Sequence, residues 1–177
     1  MSTILLIGRN GQVGWELQRT LAPLGKLIAF DRHALDLADA DAIRAAIRSI
    51  HPDIIVNAAA YTAVDQAETE NAVAMSINGK APGIMAEEAR STGAWLVHYS
   101  TDYVFDGTKN TAYEEGDTPN PLNVYGRSKL AGEQAIQAVG GRYTILRTSW
   151  VYGRRGKNFL NTILRLAQEK EELRIVA

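Results

Sequence analysis

Short apolar runs that alternate with longer helical patterns are the feature that most constrains the fold of this 177-residue chain. Five runs are predicted as strands: Thr3–Ile7, Lys26–Phe30, Asp53–Asn57, Trp95–Ser100 and Tyr143–Thr148. Several are apolar at consecutive positions, as in strands that are buried on both faces of a parallel sheet. The β-α-β-α order therefore predicts an α/β fold, a doubly wound parallel sheet of the Rossmann type.

The segments between the strands carry apolar residues at helical spacing. A first helix is indicated from Val13 to Leu24, where leucines recur every three or four residues. Further helices are predicted at Ala42–Ile50, Ala72–Ala89, 124–139 and 157–170. Gly79 and Pro82 are expected to break or kink the helix that contains them, because glycine and proline disfavour helix interiors.

The composition fits one soluble domain and excludes several kinds of site. Hydrophobic residues make up 46% of the chain and the net charge is −1, which leaves no electrostatic footprint for nucleic acid or a membrane surface. Without cysteine there are no disulfides or thiolate metal ligands, and His33, His51 and His98 lack metal-ligand spacing. No signal-peptide pattern or membrane-length apolar run occurs, so we expect a soluble cytoplasmic protein.

Three glycines, Gly8, Gly11 and Gly14, lie between the first predicted strand and the first predicted helix. Glycine permits a sharp turn and the close approach of a pyrophosphate, which is stabilised at the positive end of a helix. The spacing is Gly-x-x-Gly-x-x-Gly instead of Gly-x-Gly-x-x-Gly, and a turn required only for packing is the alternative. The strand–glycine–helix context nevertheless favours a dinucleotide site.

An acid and a base follow the second predicted strand. Asp31 lies where an acidic residue commonly accepts hydrogen bonds from the adenosine ribose of a dinucleotide. Arg32 could instead bind the 2′-phosphate of NADP, and either residue could be a plain surface charge. Side by side they predict that both NADH and NADPH are accepted, without a strict preference.

The third and fourth predicted strands end in segments that suit a ligand. Small side chains at Ala58–Ala60 either leave room for a flat dinucleotide or allow tight strand–helix packing. The fourth strand ends in the polar cluster Tyr99–Tyr103, at the edge where α/β ligand sites form. Within it, Thr101 is suited to hydrogen-bond a substrate carbonyl, although an isolated threonine is more often a capping or sheet residue. The polar, aperiodic segment from there to Asn123 is typical of a functional or mobile loop.

Tyr125 and Lys129 are four residues apart on a predicted helix, so their side chains share one face. An ammonium group beside a tyrosine favours the phenolate, lowers a pKa that is otherwise about 10, and makes the hydroxyl a better acid. Such pairs also occur by chance on helix surfaces. The glycine turn, Asp31 and the end of the fourth strand favour the catalytic interpretation.

Several segments together resemble the extended short-chain dehydrogenase/reductases: the glycine motif, NAAAYTAVDQAE, HYSTDYVFDG, NVYGRSKLAGE and RTSWVYG. Within that superfamily, essentially the whole chain is similar to reductases of dTDP-linked 4-keto sugars. The resemblance implies hydride transfer from NADPH or NADH to C4 of dTDP-4-dehydro-L-rhamnose, in dTDP-L-rhamnose synthesis. It implies that Tyr125 donates the proton to the developing alkoxide, that Lys129 holds the nicotinamide ribose and depresses the tyrosine pKa, and that Thr101 bonds the keto oxygen.

The resemblance also implies the remaining ligand contacts. The cofactor residues are Gly8, Gly11, Gln12, Val13 and Gly14 at the pyrophosphate turn, Asp31 and Arg32 at the adenosine ribose, Asp36 and Leu37 near the adenine, and Ala60, Tyr61, Thr62 and Tyr99 along the cleft. The residues expected to contact the sugar nucleotide are Thr101, Asp102, Tyr103 and Trp150. Magnesium dependence is implied for the family, but no residue of this chain is assigned to it. The expected partners are a dTDP-sugar and a second copy of the chain, in a homodimer.

Two other functions fit the same motifs. A nucleotide-sugar epimerase or dehydratase shares the tyrosine–lysine pair, but the single acid that follows Thr101, Asp102, favours a reductase. A non-catalytic regulatory subunit is the other alternative, which the intact Thr101, Tyr125 and Lys129 disfavour. Family members continue into a C-terminal substrate-binding region, so residues 1–177 are expected to be the dinucleotide-binding domain of a longer chain, with a strand beginning in the final EELRIVA. Alone, this piece is expected to bind cofactor but to turn over poorly.

Overall fold

A computed structural model describes residues 1–156, 158–170 and 172–173 of the chain. Its centre is one parallel sheet of five strands: β1 (Thr3–Ile7), β2 (Lys26–Phe30), β3 (Ile54–Asn57), β4 (Trp95–Thr101) and β5 (Arg142–Thr148). Their spatial order is β2-β1-β3-β4-β5, and every neighbouring pair is parallel. The predicted α/β fold and all five predicted strands are confirmed, with ends that differ by at most one residue.

The α-helices of the described residues are α1 (Gln12–Leu21), α2 (Ala40–Ile50), α3 (Val64–Ala67), α4 (Asn71–Ala74), α5 (Ala81–Thr92), α6 (Val124–Val139) and α7 (Phe159–Glu169). Ala22–Leu24 and Asp102–Val104 form 3₁₀ turns, and the π-helical segment Met75–Lys80 joins α4 to α5. The final EELRIVA, where a strand was expected, lies largely outside the described residues. No helix in the described part of the chain is long and apolar enough to cross a membrane.

The expected break around Gly79 and Pro82 is a widening of the helix instead of an interruption. Helical structure continues through the π-helical segment into α5. Pro82 has no N–H to donate to the carbonyl of Asn78, which removes one regular helical bond. Gly132 of α6 packs against this carbonyl so closely that a Cβ there would lie 2.2 Å from its oxygen. The widened helix and α6 are therefore in direct backbone contact.

The core lies on both faces of the sheet. On one face, Leu5 and Ile7 of β1 pack in a large cluster with residues of α2 and α5 such as Ile47 and Met85. On the other face, Ile4 and Leu6 of β1 pack in a smaller cluster with Leu17 and Leu21 of α1. Burial of consecutive residues in β1 follows from helices on both sides, as the apolar run predicts.

The strand order fixes where a ligand can bind. The chain passes from β1 to β2 on one side and later to β3 on the other, so the connections leave β1 and β3 in opposite directions. The crevice outside the carboxyl ends of strands at such a switch point is where α/β sheets bind ligands. The glycine turn follows β1 and the small-residue segment Ala58–Ala60 follows β3, which places both at this crevice.

Candidate functional site

A cleft of about 790 Å³ opens at the carboxyl edge of the sheet. The predicted cofactor residues that line it are Gly8, Gly11, Gln12, Val13, Asp31, Arg32, Asp36, Leu37, Ala60, Tyr61, Thr62, Tyr99, Tyr125 and Lys129. Among the predicted cofactor residues, only Gly14 is not part of the lining. The fold thus brings the ends of all five strands and one face of α6 to a single cavity.

The glycine turn is shaped for close backbone approach. Gly8 has a φ of +93°, and a Cβ at this residue would lie 2.7 Å from the backbone nitrogen of Ala59. Gly14, in the first turn of α1, is buried, and a Cβ there would lie 2.1 Å from the carbonyl oxygen of Gly8. The role of Gly14 is therefore to let α1 fold against the turn instead of lining the cleft.

The start of α1 suits an anion. Gly11 is the N-cap residue, and no described side chain caps the helix. The first turn of α1 carries the positive end of the helix dipole, and its N–H groups point toward the glycine turn. A pyrophosphate fits this arrangement, because phosphates bind at helix N-termini that follow a glycine turn.

Asp31 is held by a basic residue that sequence reasoning missed. Its carboxylate accepts hydrogen bonds from Nε of Arg9 at 3.0 Å and from the side-chain amide of Asn10 at 3.2 Å. The hydrogen bond from Arg9 is the main reason that the pKa of Asp31 is lowered. Arg9 lies inside the glycine motif, so its position was visible in the sequence, but its pairing with Asp31 at the end of β2 was not. The adenosine end of the cleft therefore has two basic residues nearby, Arg9 and Arg32.

Thr101 and Tyr125 meet at the end of β4. The Thr101 hydroxyl donates to Oδ1 of Asp102 at 3.1 Å and accepts from the backbone N–H of Tyr103 at 3.2 Å. Tyr125 lies in the first turn of α6, which Asn123 caps by accepting from the N–H of Gly126 at 2.7 Å. Burial raises the pKa of Tyr125, and a hydrogen bond with Thr101 opposes this increase only in part.

Lys129 is buried deep in the cleft wall and is only 1% exposed. Its Nζ donates to the carbonyl oxygen of Tyr99 at 2.6 Å and lies 3.2 Å from Nε2 of His98. Burial lowers the pKa of Lys129 to about 8. Lys129 was expected to depress the pKa of Tyr125, but that pKa is raised: burial raises it most, the charge of Asp102 acts in the same direction, and Lys129 is not among the groups that shift it.

The contact between Lys129 and His98 continues to Asn57. The side-chain nitrogen of Asn57 lies 3.1 Å from Nδ1 of His98, and its oxygen accepts from the backbone N–H of Ala59 at 3.1 Å. Sequence reasoning used His98 only to exclude a metal site and passed over Asn57. Their signal in the sequence is a polar residue directly after three apolar residues in each of two strands: Asn57 ends β3, and His98 lies in the middle of β4.

A buried ion pair anchors α6 to the sheet near the same cleft. Oε1 of Glu133 accepts from the hydroxyl of Ser100 at 2.5 Å, and Oε2 accepts from Arg147 at 2.6 Å. Ser100 lines the cleft, while Glu133 is only 1% exposed. The network joins α6, β4 and β5, the elements that carry Tyr125 and Lys129, Thr101, and the segment that leads to Trp150.

The residues predicted to contact substrate are only partly brought together. The residues Thr101, Asp102 and Tyr103 adjoin Tyr125, and the rings of Tyr103 and Tyr125 make an edge contact at 5.6 Å. Trp150 is 77% exposed and instead makes an edge contact with Phe159 at 5.7 Å. None of these four lines the cleft, so their contact with a sugar nucleotide stays a prediction.

Metal ligands do not cluster in the part of the chain that the structure describes. No group of three or more His, Cys, Asp or Glu side chains there is arranged to hold a metal ion. The magnesium expectation therefore has no site among these residues.

Comparisons with known proteins agree with this geometry. Residues 1–177 match the family model described as the RmlD substrate binding domain. The chain is 54% identical over 177 residues to the dTDP-4-dehydrorhamnose reductase of Escherichia coli (strain K12), a match that covers 98% of this chain and 59% of the relative. The crystal structure of dTDP-4-dehydrorhamnose reductase from Bacillus anthracis in complex with NADP is similar with a TM-score of 0.93 and 42% identity, over 97% of this chain and 62% of that one.

A more distant likeness concerns the fold alone. UDP-glucose 4-epimerase of Thermus thermophilus in complex with NAD has a TM-score of 0.80 at 23% identity, and the match covers 93% of this chain and 61% of that chain. The chain spans about three fifths of the length of the relatives with which it was compared.

Proposed function

The chain belongs to the RmlD substrate-binding-domain family, and from this premise we propose that it is the dinucleotide-binding part of an NAD(P)H-dependent reductase. Its substrate is dTDP-4-dehydro-L-rhamnose, whose C4 keto group is reduced to give dTDP-L-rhamnose. The single observation that carries the proposal is that Tyr125 and Lys129, on one face of α6, both line the cleft. Support also comes from the relatives named dTDP-4-dehydrorhamnose reductase.

The cleft has the features that a nicotinamide dinucleotide requires. The glycine turn and the uncapped start of α1 suit the pyrophosphate, and Asp31 and Arg32 lie at the adenosine end. Tyr125 and Lys129, on α6, line the opposite part of the cleft and are the groups that would flank the nicotinamide ribose. The bound cofactor supplies the hydride, and this chain's residues hold the keto group and supply the proton.

Tyr125 is the proton donor in this proposal. Because burial raises its pKa, the phenol stays protonated at neutral pH, as a donor to a developing alkoxide requires. Thr101 adjoins Tyr125, so a keto oxygen placed between the two would receive two hydrogen bonds once the Thr101 hydroxyl turned to it from Asp102. Preorganised donors of this kind stabilise charge that develops on the oxygen in the transition state.

In this proposal, Lys129 binds the nicotinamide ribose and positions the nicotinamide end of the cofactor. Its ammonium or amine is fixed by Tyr99 and His98 with almost no exposure to solvent, so its position does not depend on a flexible side chain. A ribose hydroxyl at this point of the cleft would have a nitrogen donor at a fixed place. The lysine then orients the nicotinamide end, while the proton itself is held on Tyr125.

The test uses the full-length gene product, NADPH and a dTDP-4-keto-6-deoxy sugar. In Tyr125→Phe, NADPH binding should stay unchanged while NADPH oxidation is nearly abolished. Tyr143→Phe is the matched control, since Tyr143 lies at the start of β5, away from the carboxyl edge that holds the cleft. Turnover by the Tyr125 variant that equals wild type would refute the role of this residue.

Stoichiometry separates the proposed reductase from an epimerase or dehydratase. A reductase consumes one NADPH for each sugar reduced, whereas those enzymes regain the nicotinamide cofactor within each cycle. Sugar conversion without net loss of NADPH would therefore overturn the reductase assignment. A regulatory subunit would bind NADPH and oxidise none of it with the dTDP-sugar.

A further inference from the structure

The segment that follows β5 is hydrogen-bonded to, and packs against, the start of α1 at the glycine turn. The side-chain amide of Asn158 donates to Oε1 of Gln12 at 3.0 Å and to the carbonyl oxygen of Gly153 at 2.9 Å. Gly156 packs on the same glutamine, since a Cβ at this position would lie 2.7 Å from its Cγ. Asn158 is 8% exposed. These contacts hold the segment against the start of α1.

Arg155 reaches the first turn of α1 from this segment. The central carbon of its guanidinium lies 3.5 Å from the centroid of the Trp15 ring. The backbone N–H of Trp15 donates to the carbonyl of Gly11 at 2.8 Å, so the ring projects from the turn that starts the helix. Arg155 and Gly156 line the same cleft as Gly11. The positive charge therefore lies on the rim of the cleft beside the pyrophosphate turn.

The charge of Arg155 is not neutralised by its described surroundings. Across the described residues, no carboxylate lies within ion-pair distance of its guanidinium, whereas Arg9 is paired with Asp31. A dinucleotide pyrophosphate brings two negative charges to a turn that offers backbone N–H groups and a helix dipole. Stacking uses the flat face of a guanidinium and leaves its N–H edge for a bidentate contact with phosphate oxygens.

We propose that Arg155 is a cofactor-binding residue that donates hydrogen bonds to the pyrophosphate of the dinucleotide, with its guanidinium positioned by Trp15. The proposal rests on the proposed function, because it presumes that the cleft binds NADPH or NADH. A dTDP-sugar also contains a pyrophosphate, so the same chemistry has two sources in this protein. The glycine turn that adjoins Arg155 favours the cofactor.

The experiment measures dissociation constants of the full-length gene product by calorimetry, with NADH, NADPH, ADP and dTDP as separate ligands. Arg155→Ala should weaken the binding of NADH, NADPH and ADP by a similar factor, about tenfold, as expected for loss of a charge-assisted contact. Arg155→Lys should lose less affinity for these ligands, because the point charge of the lysine keeps part of the attraction to phosphate. Binding of dTDP should not change. Arg154→Ala is the matched control, since Arg154 is an exposed neighbour that does not line the cleft.

Each other outcome overturns the proposal. Unchanged affinity in Arg155→Ala means that the guanidinium does not contact the cofactor. Weaker binding of NADPH but not of NADH means that Arg155 contacts the 2′-phosphate. Weaker binding of dTDP alone means that it contacts the sugar nucleotide. An equal loss of affinity in Arg154→Ala means that the effect comes from surface charge in general and not from a contact of Arg155. If wild type binds neither dinucleotide, the proposed function fails as well, whereas normal wild-type binding with an unaffected Arg155 variant refutes only this inference.

Discussion

Nζ of Lys129 lies 3.2 Å from Nε2 of His98, and each of the two side chains is only 1% exposed. The backbone N–H of Ala59 fixes the amide of Asn57, whose nitrogen then donates to Nδ1 of His98. Burial and the nearby lysine hold the pKa of His98 well below its ordinary value, so the ring is neutral. The network therefore assigns the single ring proton to Nε2, which faces the lysine nitrogen.

This arrangement acts against the charged form of Lys129. A ring N–H that points at Nζ is best accepted by the lone pair of an uncharged amine, while a lysine N–H donates to the carbonyl of Tyr99. Burial acts in the same direction and lowers the pKa of Lys129 to about 8. Glu133, one turn further along α6, opposes the shift through its negative charge. Lys129 consequently titrates near neutral pH instead of far above it.

The first prediction concerns stability at alkaline pH. The folded-state pKa of Lys129 is about 8, below its ordinary value of 10.5, so the unfolded chain binds more protons between these two pH values. The penalty for burying the charge is complete below pH 8 and decreases as the pH rises. The free energy of unfolding of wild type should therefore rise by about 2 kcal/mol between about pH 7 and pH 10, relative to Lys129→Met.

Urea unfolding of both proteins at a series of pH values measures this difference. Taking the difference cancels the titration of groups that the two proteins share, including the tyrosines whose pKa values are raised. Parallel curves for wild type and Lys129→Met across this range would contradict a buried lysine with a lowered pKa.

A second prediction follows from the hydroxyl of Thr101. Its hydrogen bond lowers the pKa of Tyr125 against the effect of burial, so Thr101→Val should raise that pKa further. The same change removes one donor from the position proposed for the keto oxygen, and we expect kcat to fall on the order of 10-fold to 100-fold. Thr101→Ser keeps the hydroxyl and should retain most of the rate. The pH profile of kcat for the three proteins checks both effects, and equal rates for the valine and serine variants would exclude a role for the hydroxyl.

The strands could be predicted closely because their signal is local. Runs such as Thr3–Ile7 and Lys26–Phe30 are bounded by turn residues, and the helices on both faces demand the consecutive apolar positions that the sequence displays. The π-helical segment was not foreseen. It depends on the missing N–H of Pro82 and on the close contact between Asn78 and Gly132, which is a tertiary contact.

The sequence indicated which residues line the cleft better than it indicated their pKa values and their charged partners. Helical spacing placed Tyr125 and Lys129 on one face, and both line the cleft. The direction of the tyrosine pKa could not be read from spacing, because it depends on burial by residues distant in sequence. The pairing of Arg9 with Asp31 and the contact of His98 with Lys129 are also contacts between separate elements. Their residue types were visible, but their partners were not.

A third prediction tests the packing of the glycine turn. Gly14→Ala places a Cβ 2.1 Å from the carbonyl oxygen of Gly8, a backbone atom that cannot move without displacing the turn. We expect a loss of stability of roughly 2 kcal/mol or more and weaker binding of NADPH. Gly116→Ala is the matched control, because a Cβ there meets nothing within 4 Å and its φ is not positive. Thermal unfolding and NADPH titration compare the two, and equal melting temperatures would contradict the close approach.

The last prediction concerns the buried carboxylate of Glu133. Glu133→Ala removes the partner of Arg147, whose side chain is only 22% exposed, and leaves the hydroxyl of Ser100 without its acceptor. Removal of one member of a buried ion pair typically costs about 3–5 kcal/mol, because the other charge stays buried without compensation. Since Arg147 is partly exposed, we expect the lower end of that range. Glu169→Ala, in the exposed pair with Arg165 on α7, should cost less than about 1 kcal/mol. Denaturant unfolding of both variants measures the contrast, and a loss for Glu133→Ala no larger than for Glu169→Ala would show that the network does not anchor α6.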